Sequence, residues 1–154
     1  MEYWQKLRRV YGHDTLILSG TGGAIIQQGK ILLVRNREFG KWQIPGGLQE
    51  IGESIPECLE REIREELDLD LKATQLISIY TDPKWTAAYP NGDQVQPLMF
   101  FYRMEGDLSG LSIQESEISE VRFFAPDEIP EDTLRFSRQQ VADWVEFRGE
   151  VLFR

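Results

Sequence analysis

The chain has 154 residues, with 17 basic and 26 acidic side chains, a formal net charge of −9, one cysteine and one histidine. Its length corresponds to one domain with a substantial core, so we expect a single domain over residues 1–154. The negative charge and the lack of a basic patch argue against duplex DNA or RNA as the main ligand. No apolar run approaches the roughly 18 residues that a membrane span needs.

The single cysteine and the single histidine limit the kinds of active site. Cys58 cannot form an intrachain disulfide or a thiolate zinc cluster, and we expect it to be a buried, inert thiol. His13 alone cannot supply a multi-histidine metal site, and it lies in a segment without signals for a nucleophile. The first residues lack the apolar stretch of a signal peptide, which favours a cytoplasmic location.

The spacing of apolar residues predicts alternating helices and strands without internal repeats. Residues 2–10 show the pattern of a short amphipathic helix, in which Tyr3 and Trp4 are expected to make packing or dimer contacts rather than ligand contacts. Strands are predicted over residues 16–28, 30–37, 71–81, 95–104 and 120–124, and a closing helix over residues 137–147. A polar and aromatic loop of residues 82–94 separates two of these strands.

The sequence also signals a helix that begins at about Ile55. Ser54 can cap its first turn, and Glu57, three residues later, completes a capping box. Pro56 falls in the first turn, where its missing N–H is harmless. Four apolar residues then recur at every fourth position and form a stripe for the core, namely Ile55, Leu59, Ile63 and Leu67.

Three glutamates of this helix, Glu62, Glu65 and Glu66, stand at positions i, i+3 and i+4 and therefore lie on one side of it. Like charges at this spacing destabilise a helix by a few tenths of a kcal/mol per pair. A hard divalent cation such as Mg²⁺ reverses that cost, because carboxylates, water and substrate phosphates are its usual ligands. The alternative interpretation is an ordinary charged surface helix.

The surrounding segment, residues 47–69, resembles the signature of the Nudix hydrolases, the MutT-like family. That signature is a Gly, five residues, a Glu, seven residues, and then Arg-Glu, an aliphatic residue, any residue, Glu-Glu, any residue, Gly and an aliphatic residue. Eight of its nine specified places are filled here, by Gly47, Glu53, Arg61, Glu62, Ile63, Glu65, Glu66 and Leu69. The ninth is Asp68, where the family has Gly. Because Asp tolerates the left-handed conformation less well than Gly, this departure affects the end of the helix rather than the acidic positions.

The resemblance implies the Nudix fold, an α/β/α sandwich with a mixed β-sheet, and the order of the predicted elements agrees with it. It also implies hydrolysis of a nucleoside diphosphate linked to another moiety, by attack of water on phosphorus, with Mg²⁺ or Mn²⁺ as the cofactor. The expected partner is a small nucleotide-type diphosphate, not a nucleic-acid duplex or a membrane. Homodimers are frequent in the family, but no feature of this chain requires one.

Roles follow for the positions that match the family's motif. The metal ligands that the resemblance implies are Glu62, Glu65 and Glu66, for one to three ions, with the carbonyl of Gly47 as a further ligand. Glu53 is expected to lie near the metals or to orient their ligands. Arg61 is expected to hold the glutamates through a salt bridge.

Two sources can supply the general base that takes a proton from the attacking water. Glu62 is the first choice. The alternative is a glutamate of the late loop, residues 112–120, from which some family members draw a base or a further metal ligand. Glu117 and Glu120 are the candidates there, and for each the competing interpretation is a solvated surface carboxylate.

Four residues are candidates for substrate binding, namely Arg35, Arg37, Trp85 and Tyr89. The two arginines end a strand that should approach the motif, where either could meet a phosphate with two hydrogen bonds. Otherwise they mark an exposed strand edge. Trp85 and Tyr89 lie in the loop of residues 82–94 and could stack on a nucleobase, although Asn91-Gly92 is also a common turn signal.

Two other functions agree less well with the sequence. A non-catalytic nucleotide sensor with the same fold would be expected to lose one or more of Glu62, Glu65 and Glu66, and all three are present. An isomerase of isoprenoid diphosphates would need a cysteine opposite a glutamate in an apolar pocket, whereas Cys58 belongs to the motif helix. We therefore expect a metal-dependent diphosphatase, with the sensor as the alternative.

Overall fold

The computed structural model describes all of residues 1–154 and contains three α-helices and nine β-strands. The helices are α1 (Tyr3–Tyr11), α2 (Ile55–Leu67) and α3 (Arg135–Glu146). The strands are β1 (Leu16–Gln27), β2 (Lys30–Asn36), β3 (Trp42–Gln43), β4 (Gly46–Leu48), β5 (Lys72–Tyr80), β6 (Ala87–Ala88), β7 (Gln94–Glu105), β8 (Ile118–Phe124) and β9 (Leu152–Phe153). Two short 3₁₀ helices, Pro83–Trp85 and Pro126–Glu128, lie in the connections.

The strands form a mixed sheet with the central order β3-β2-β1-β7-β5-β9. The strands β1 and β7 run parallel, from Leu16 opposite Val95 to Ile25 opposite Met104. The pairs β5–β7 and β2–β8 are antiparallel. The short β4 pairs antiparallel with β1, and this ladder fixes the position of Gly47 just before helix α2 begins.

Two apolar cores lie on opposite faces of the sheet, because neighbouring residues of a strand point to opposite sides. Ala24 of β1 belongs to one core and Ile25 to the other. Helix α3 covers the first core with Val141, and α2 covers the second with Leu59 and Ile63. Helices thus cover both faces of a mixed sheet, and the predicted α/β/α sandwich is confirmed.

Helix α2 begins and ends where its sequence signals indicate. The Glu57 carboxylate accepts a hydrogen bond from the Ser54 N–H at 2.7 Å, and Ser54 Oγ accepts one from the Glu57 N–H at 3.4 Å, which completes the capping box. At the other end Asp68 adopts the left-handed conformation, with φ 54° and ψ 35°, and its N–H bonds the Arg64 carbonyl at 3.0 Å. Asp68 therefore occupies the kind of position for which Gly is the usual residue.

Helix α1 lies on the surface and has no buried residue. Trp4 and Leu7 pack against a small apolar cluster formed by Leu16, Leu18 and Val95. The packing contacts expected of Trp4 are therefore present.

Each predicted helix and strand is present, with ends that differ by one or two residues. Four strands of two or three residues, β3, β4, β6 and β9, were not predicted. Each pairs with a longer neighbouring strand, which supplies its hydrogen-bond partners. No helix is both long and apolar enough to cross a membrane.

Candidate active site

Gly47 of β4 lies directly against the carboxylate of Glu62 on α2. A Cβ atom added at Gly47 would lie 2.3 Å from Glu62 Cδ and 2.5 Å from Glu62 Oε1, which is closer than nonbonded atoms come. Only a residue without a side chain therefore allows the helix carboxylate this close to the strand backbone.

Arg61 holds the acidic residues around it in fixed positions. Its Nε and Nη2 atoms donate to the two carboxylate oxygens of Glu53 at 2.8 and 2.7 Å, a two-point pairing. Its Nη1 atom donates to Glu62 at 2.8 Å and to Glu65 at 3.4 Å. The hydrogen bonding from Arg61 lowers the pKa of Glu53 to about 2. This geometry agrees with a role of Arg61 in orienting Glu62.

Glu66 is a buried carboxylate with an unsatisfied oxygen. The residue is 7% exposed, and its Oε2 atom has no hydrogen-bond partner. Burial raises the pKa of Glu66 well above its usual range, and the charges of Glu62 and Glu117 raise it further. A buried acceptor without a partner costs about 1–3 kcal/mol, and a bound cation would supply the missing partner.

Glu62 is a second carboxylate whose ionised form is disfavoured. Its side chain is 14% exposed. Burial raises the pKa of Glu62 to about 7, in spite of the opposing hydrogen bond and charge of Arg61. Glu62 and Glu66 together therefore form a site whose negative charge the protein alone does not balance.

The donor atoms of this site fit a hard divalent cation. Glu62 and Glu66 offer carboxylate oxygens, which Mg²⁺ prefers, and such an ion keeps further positions for water and phosphate. No three potential ligating side chains form a metal-binding group. The side chain of Glu65 is 60% exposed and contacts the same Arg61 nitrogen as Glu62, at 3.4 Å. The carbonyl oxygen of Gly47 faces the thiol of Cys58 at 3.9 Å. Glu65 and Gly47 therefore stay predicted ligands, while Glu62 and Glu66 are the two α2 carboxylates whose burial raises the pKa.

A cavity of about 340 Å³ opens in front of Glu62, within the size range of small-molecule sites. Apolar and aromatic side chains form part of its wall, namely Trp4, Leu18, Phe39, Leu48, Tyr89 and Val95. Its acidic side chains are Glu2, Glu38, Glu50, Glu62, Asp93 and Glu117. Arg8 is the only cationic residue of the lining. The cavity therefore combines a surface for a ring with a strongly acidic site that is suited to a metal-bound phosphate.

A larger groove, of about 500 Å³, lies elsewhere between α3 and the 3₁₀ helix Pro126–Glu128. It is lined by apolar residues such as Val141 and Val145 and contains no carboxylate of α2. Size alone therefore does not identify the functional site. The cavity of about 340 Å³ is distinguished by Glu62, whose charge acts on the buried Glu66.

The late loop supplies one residue to the cavity. Glu117 lines the cavity, and its charge contributes to the raised pKa of Glu66. Glu120 instead lies on β8 opposite Arg35 of β2, and the two side chains pair at 3.2 Å. Of the two late-loop candidates, the structure brings only Glu117 to the carboxylates of α2.

The guanidinium groups of Arg35 and Arg37 are not among the groups that line the cavity. Arg35 contacts Glu120 at 3.2 Å and Asp132 at 3.3 Å. Arg37 donates to the main-chain carbonyl of Glu115. Both side chains are thus engaged by the protein, and a contact with substrate phosphate would require these pairs to break.

The two aromatic candidates lie in different places. Trp85 is 9% exposed and packs edge-on against Tyr80 and Phe136, with ring centroids 6.0 and 5.6 Å apart. This position in the core leaves no open face for a nucleobase. Tyr89 lines the cavity and contacts Phe39, with ring centroids 5.4 Å apart. Of the two, only Tyr89 is placed to meet a substrate.

The sequence interpretation missed the contribution of α1 to this cavity. Trp4 was expected to make packing or dimer contacts rather than ligand contacts, yet it also lines the cavity, as do Glu2 and Arg8. The amphipathic pattern indicates the helix and its packing side. It carries no signal that the helix folds back beside the motif.

The chain is similar in sequence and in fold to known proteins. The family model of the NUDIX domain matches residues 19–145. The chain is 29% identical over 139 residues to an ADP-ribose pyrophosphatase of Methanocaldococcus jannaschii, covering 88% of this chain and 75% of that protein. A solved ADP-ribose pyrophosphatase from Streptococcus suis is 25% identical and has a TM-score of 0.66, over 90% of this chain and 100% of that one. A solved Nudix hydrolase from Nitrosomonas europaea, at 21% identity, shares the fold with a TM-score of 0.72, over 92% of this chain and 81% of that one. The chain therefore belongs to the Nudix family of hydrolases, which act on derivatives of nucleoside diphosphates.

Proposed function

We propose that this protein hydrolyses a nucleoside diphosphate linked to another moiety, with Mg²⁺ or Mn²⁺ held by glutamates of α2. The observation that carries the proposal is the buried, unpartnered Oε2 atom of Glu66 beside Glu62. Burying carboxylates without a full counter-charge is unfavourable. A divalent cation removes that cost and is what a diphosphate needs for hydrolysis.

The reaction forms a bond from water oxygen to phosphorus and breaks the bond from that phosphorus to the bridging oxygen. One proton leaves the water, and the two phosphates separate. A divalent cation, when bound, neutralises the diphosphate and lowers the pKa of a water molecule. Arg61 donates to Glu62 at 2.8 Å, so the orientation of this carboxylate is set before the substrate arrives. Glu53 in turn holds the guanidinium at two points.

The base that accepts the proton is Glu62 in this proposal, and Glu117 is the alternative. Glu117 is exposed and lines the same cavity, so its carboxylate is free to meet a water molecule. Glu120 is the third candidate for the base, because its carboxylate is paired with Arg35. Loss of the base costs about 10²–10⁴-fold in rate. A loss of that size in Glu117→Gln would move the assignment to Glu117, and Glu120→Gln serves as the control.

The substrate is sought first among nucleoside diphosphate sugars and ADP-ribose. Two of the similar proteins are ADP-ribose pyrophosphatases, and a solved structure with 22% identity is a UDP-X diphosphatase. The cavity of about 340 Å³ has room for part of such a molecule. We therefore place ADP-ribose and nucleotide sugars first in the panel, ahead of NADH, nucleoside triphosphates and their oxidised forms, and dinucleoside polyphosphates.

The test measures release of phosphate or nucleotide from this panel with Mg²⁺, with Mn²⁺ and with a chelator. Glu66→Gln should reduce metal-dependent turnover by about 100-fold or more, because it removes a charged ligand, while the protein still folds. Glu60→Gln is the matched control on the same helix, since Glu60 pairs with Lys72 at 3.0 Å outside the cavity. Full activity of Glu66→Gln would refute the metal assignment.

A non-catalytic sensor remains the second candidate function. Its distinguishing result would be metal-dependent binding of a nucleotide by the wild type without hydrolysis of any compound in the panel. The raised pKa of the Glu62 carboxylate supports a bound ion in both cases, so only turnover separates them.

A further inference from the structure

Helix α1 forms one wall of the cavity that contains Glu62. Glu2, Trp4 and Arg8 of this N-terminal segment lie among the lining residues. The helix has no fully buried residue, and Trp4 and Leu7 pack in part against Leu16, Leu18 and Val95.

Polar contacts hold α1 in place without using the ring of Trp4. The Tyr3 N–H donates to both carboxylate oxygens of Glu50, at 3.2 and 3.0 Å. At the other end of the helix, Nη2 of Arg8 donates to the Gln94 carbonyl at 2.6 Å. The helix is thus fixed at its first turn and at its last turn, and the ring of Trp4 lies between these two points.

Arg8 is the only cation of the lining, and the protein already engages all of its nitrogen atoms. Nη1 donates to the Asp14 carbonyl at 2.6 Å, Nη2 donates to Gln94, and Nε lies 3.4 Å from Asp93 Oδ2. The cavity otherwise carries six carboxylates. If metal ions hold the diphosphate, a further phosphate of the substrate would face these carboxylates and would have no cationic side chain to pair with. An uncharged group of the substrate suits this part of the cavity better than a further phosphate.

The wall near Trp4 offers flat, apolar surface to such a group. The indole N–H of Trp4 donates to the Glu2 carboxylate, so the polar edge of the ring is satisfied and its apolar surface is left. The Phe39–Tyr89 pair, with ring centroids 5.4 Å apart, lines the same cavity. Aromatic side chains bind the faces of nucleobases whatever the base.

We propose that Trp4 is a substrate-binding residue that contacts the nucleobase of the substrate while the diphosphate lies at Glu62. The inference rests on the proposed function for the position of the diphosphate. Contact with the base, in contrast, does not require hydrolysis and can be measured by binding alone.

The test compares the wild type with Trp4→Leu, Trp4→Phe and Leu7→Ala. Leucine keeps apolar volume for packing but has no flat ring, whereas phenylalanine keeps the ring. Leu7 packs against the same cluster as Trp4 but does not line the cavity, so Leu7→Ala reports on the docking of α1 alone. For each protein, kcat and KM are measured with ADP-glucose and UDP-glucose, which differ only in the base. Equilibrium binding of ADP with Mg²⁺ is measured by calorimetry, and melting temperatures report on folding.

We expect Trp4→Leu to raise KM for both sugars and Kd for ADP by about tenfold, with kcat within about twofold. Trp4→Phe should retain most of the affinity, and Leu7→Ala should change KM and Kd by less than about twofold. The increase in KM should be larger for ADP-glucose, because a purine offers the larger face.

Equal increases in KM for Leu7→Ala and Trp4→Leu would overturn the inference, since Trp4 would then act only through helix docking. Unchanged affinity in Trp4→Leu, failure of Trp4→Leu to fold, or no binding of ADP by the wild type would also overturn it. A wild type that binds ADP through Trp4 but hydrolyses no compound of the panel would refute the proposed function and leave this inference standing.

Discussion

Replacing Glu62 with glutamine should stabilise the protein when no metal is present. Burial raises the pKa of Glu62 from 4.5 to about 7, a net effect that already includes the opposing influence of Arg61. At about 1.4 kcal/mol per pKa unit, the ionised carboxylate costs the folded state about 3 kcal/mol at pH 8. For a chain of this size, removing that cost raises the melting temperature by roughly 6–12 °C.

The sign of the effect follows from the direction of the shift. Because the pKa of Glu62 is raised in the folded state, the stability that its neutral form confers is present below about pH 4.5. That stability is lost as the pH rises through about 7. The advantage of Glu62→Gln should therefore be largest at pH 8 and should fall to about a quarter of that value at pH 5.

Thermal unfolding at pH 8 and pH 5, in chelator and in saturating Mg²⁺, measures this prediction. Glu65→Gln is the matched control, because Glu65 lies on the same helix and also contacts Arg61, yet its side chain is 60% exposed. Its melting temperature should change by less than about 2 °C. Mg²⁺ should stabilise the wild type more than Glu62→Gln. A lower melting temperature for Glu62→Gln than for the wild type at pH 8 in chelator would refute the reasoning, since pairing with Arg61 would then outweigh burial.

Two further substitutions test the ends of the motif. Asp68→Gly should raise the free energy of unfolding by about 0.5–1 kcal/mol, because the exposed Asp68 holds φ at 54°. Denaturant titration measures this change, and turnover should stay the same. A clear loss of stability would reveal a contact of Asp68 that the structure does not show. Glu53→Gln should lower the melting temperature at pH 7, because it removes the pairing with Arg61 that lowers the pKa of Glu53 to about 2. Because the pKa of Glu53 is lowered, the stability from this ion pair is present above about pH 4.5 and is lost as the pH falls toward 2. The difference in melting temperature between Glu53→Gln and the wild type should therefore narrow between pH 5 and pH 3. A difference independent of pH would contradict the role of the ion pair.

Helix α2 could be predicted in detail because its signals are local. The capping box at Ser54, the first-turn Pro56 and the left-handed Asp68 each depend on neighbours within a few residues, and the structure confirms the capping box and the left-handed end. The α/β/α sandwich could also be predicted, because strand and helix patterns alternate along the chain and residues 47–69 carry the family motif.

Contacts between distant segments could not be predicted in the same way. Arg35 was expected to approach a phosphate, but the β2–β8 ladder sets it opposite Glu120, a pairing that depends on strand register. Trp85 looked like part of a polar loop, but the 3₁₀ turn Pro83–Trp85 packs it into the core. Trp4, in contrast, was not predicted to contact a ligand but lines the cavity. Its helical pattern gives no information about the cavity.

Cys58 is the only thiol of the chain, and it lies fully buried beneath β4. Its sulfur is 3.9 Å from the Gly47 carbonyl oxygen and 3.8 Å from Nη2 of Arg61, and burial raises its pKa above the usual range. A thiol reagent therefore cannot react until α2 moves away from β4. The rate at which a thiol reagent labels the native protein therefore measures how often α2 moves away from β4. No engineered cysteine is needed, and no other cysteine contributes to the signal. If the proposed ion holds α2 against β4, labelling should be slower in Mg²⁺ than in chelator, and the ratio of the two rates measures that effect.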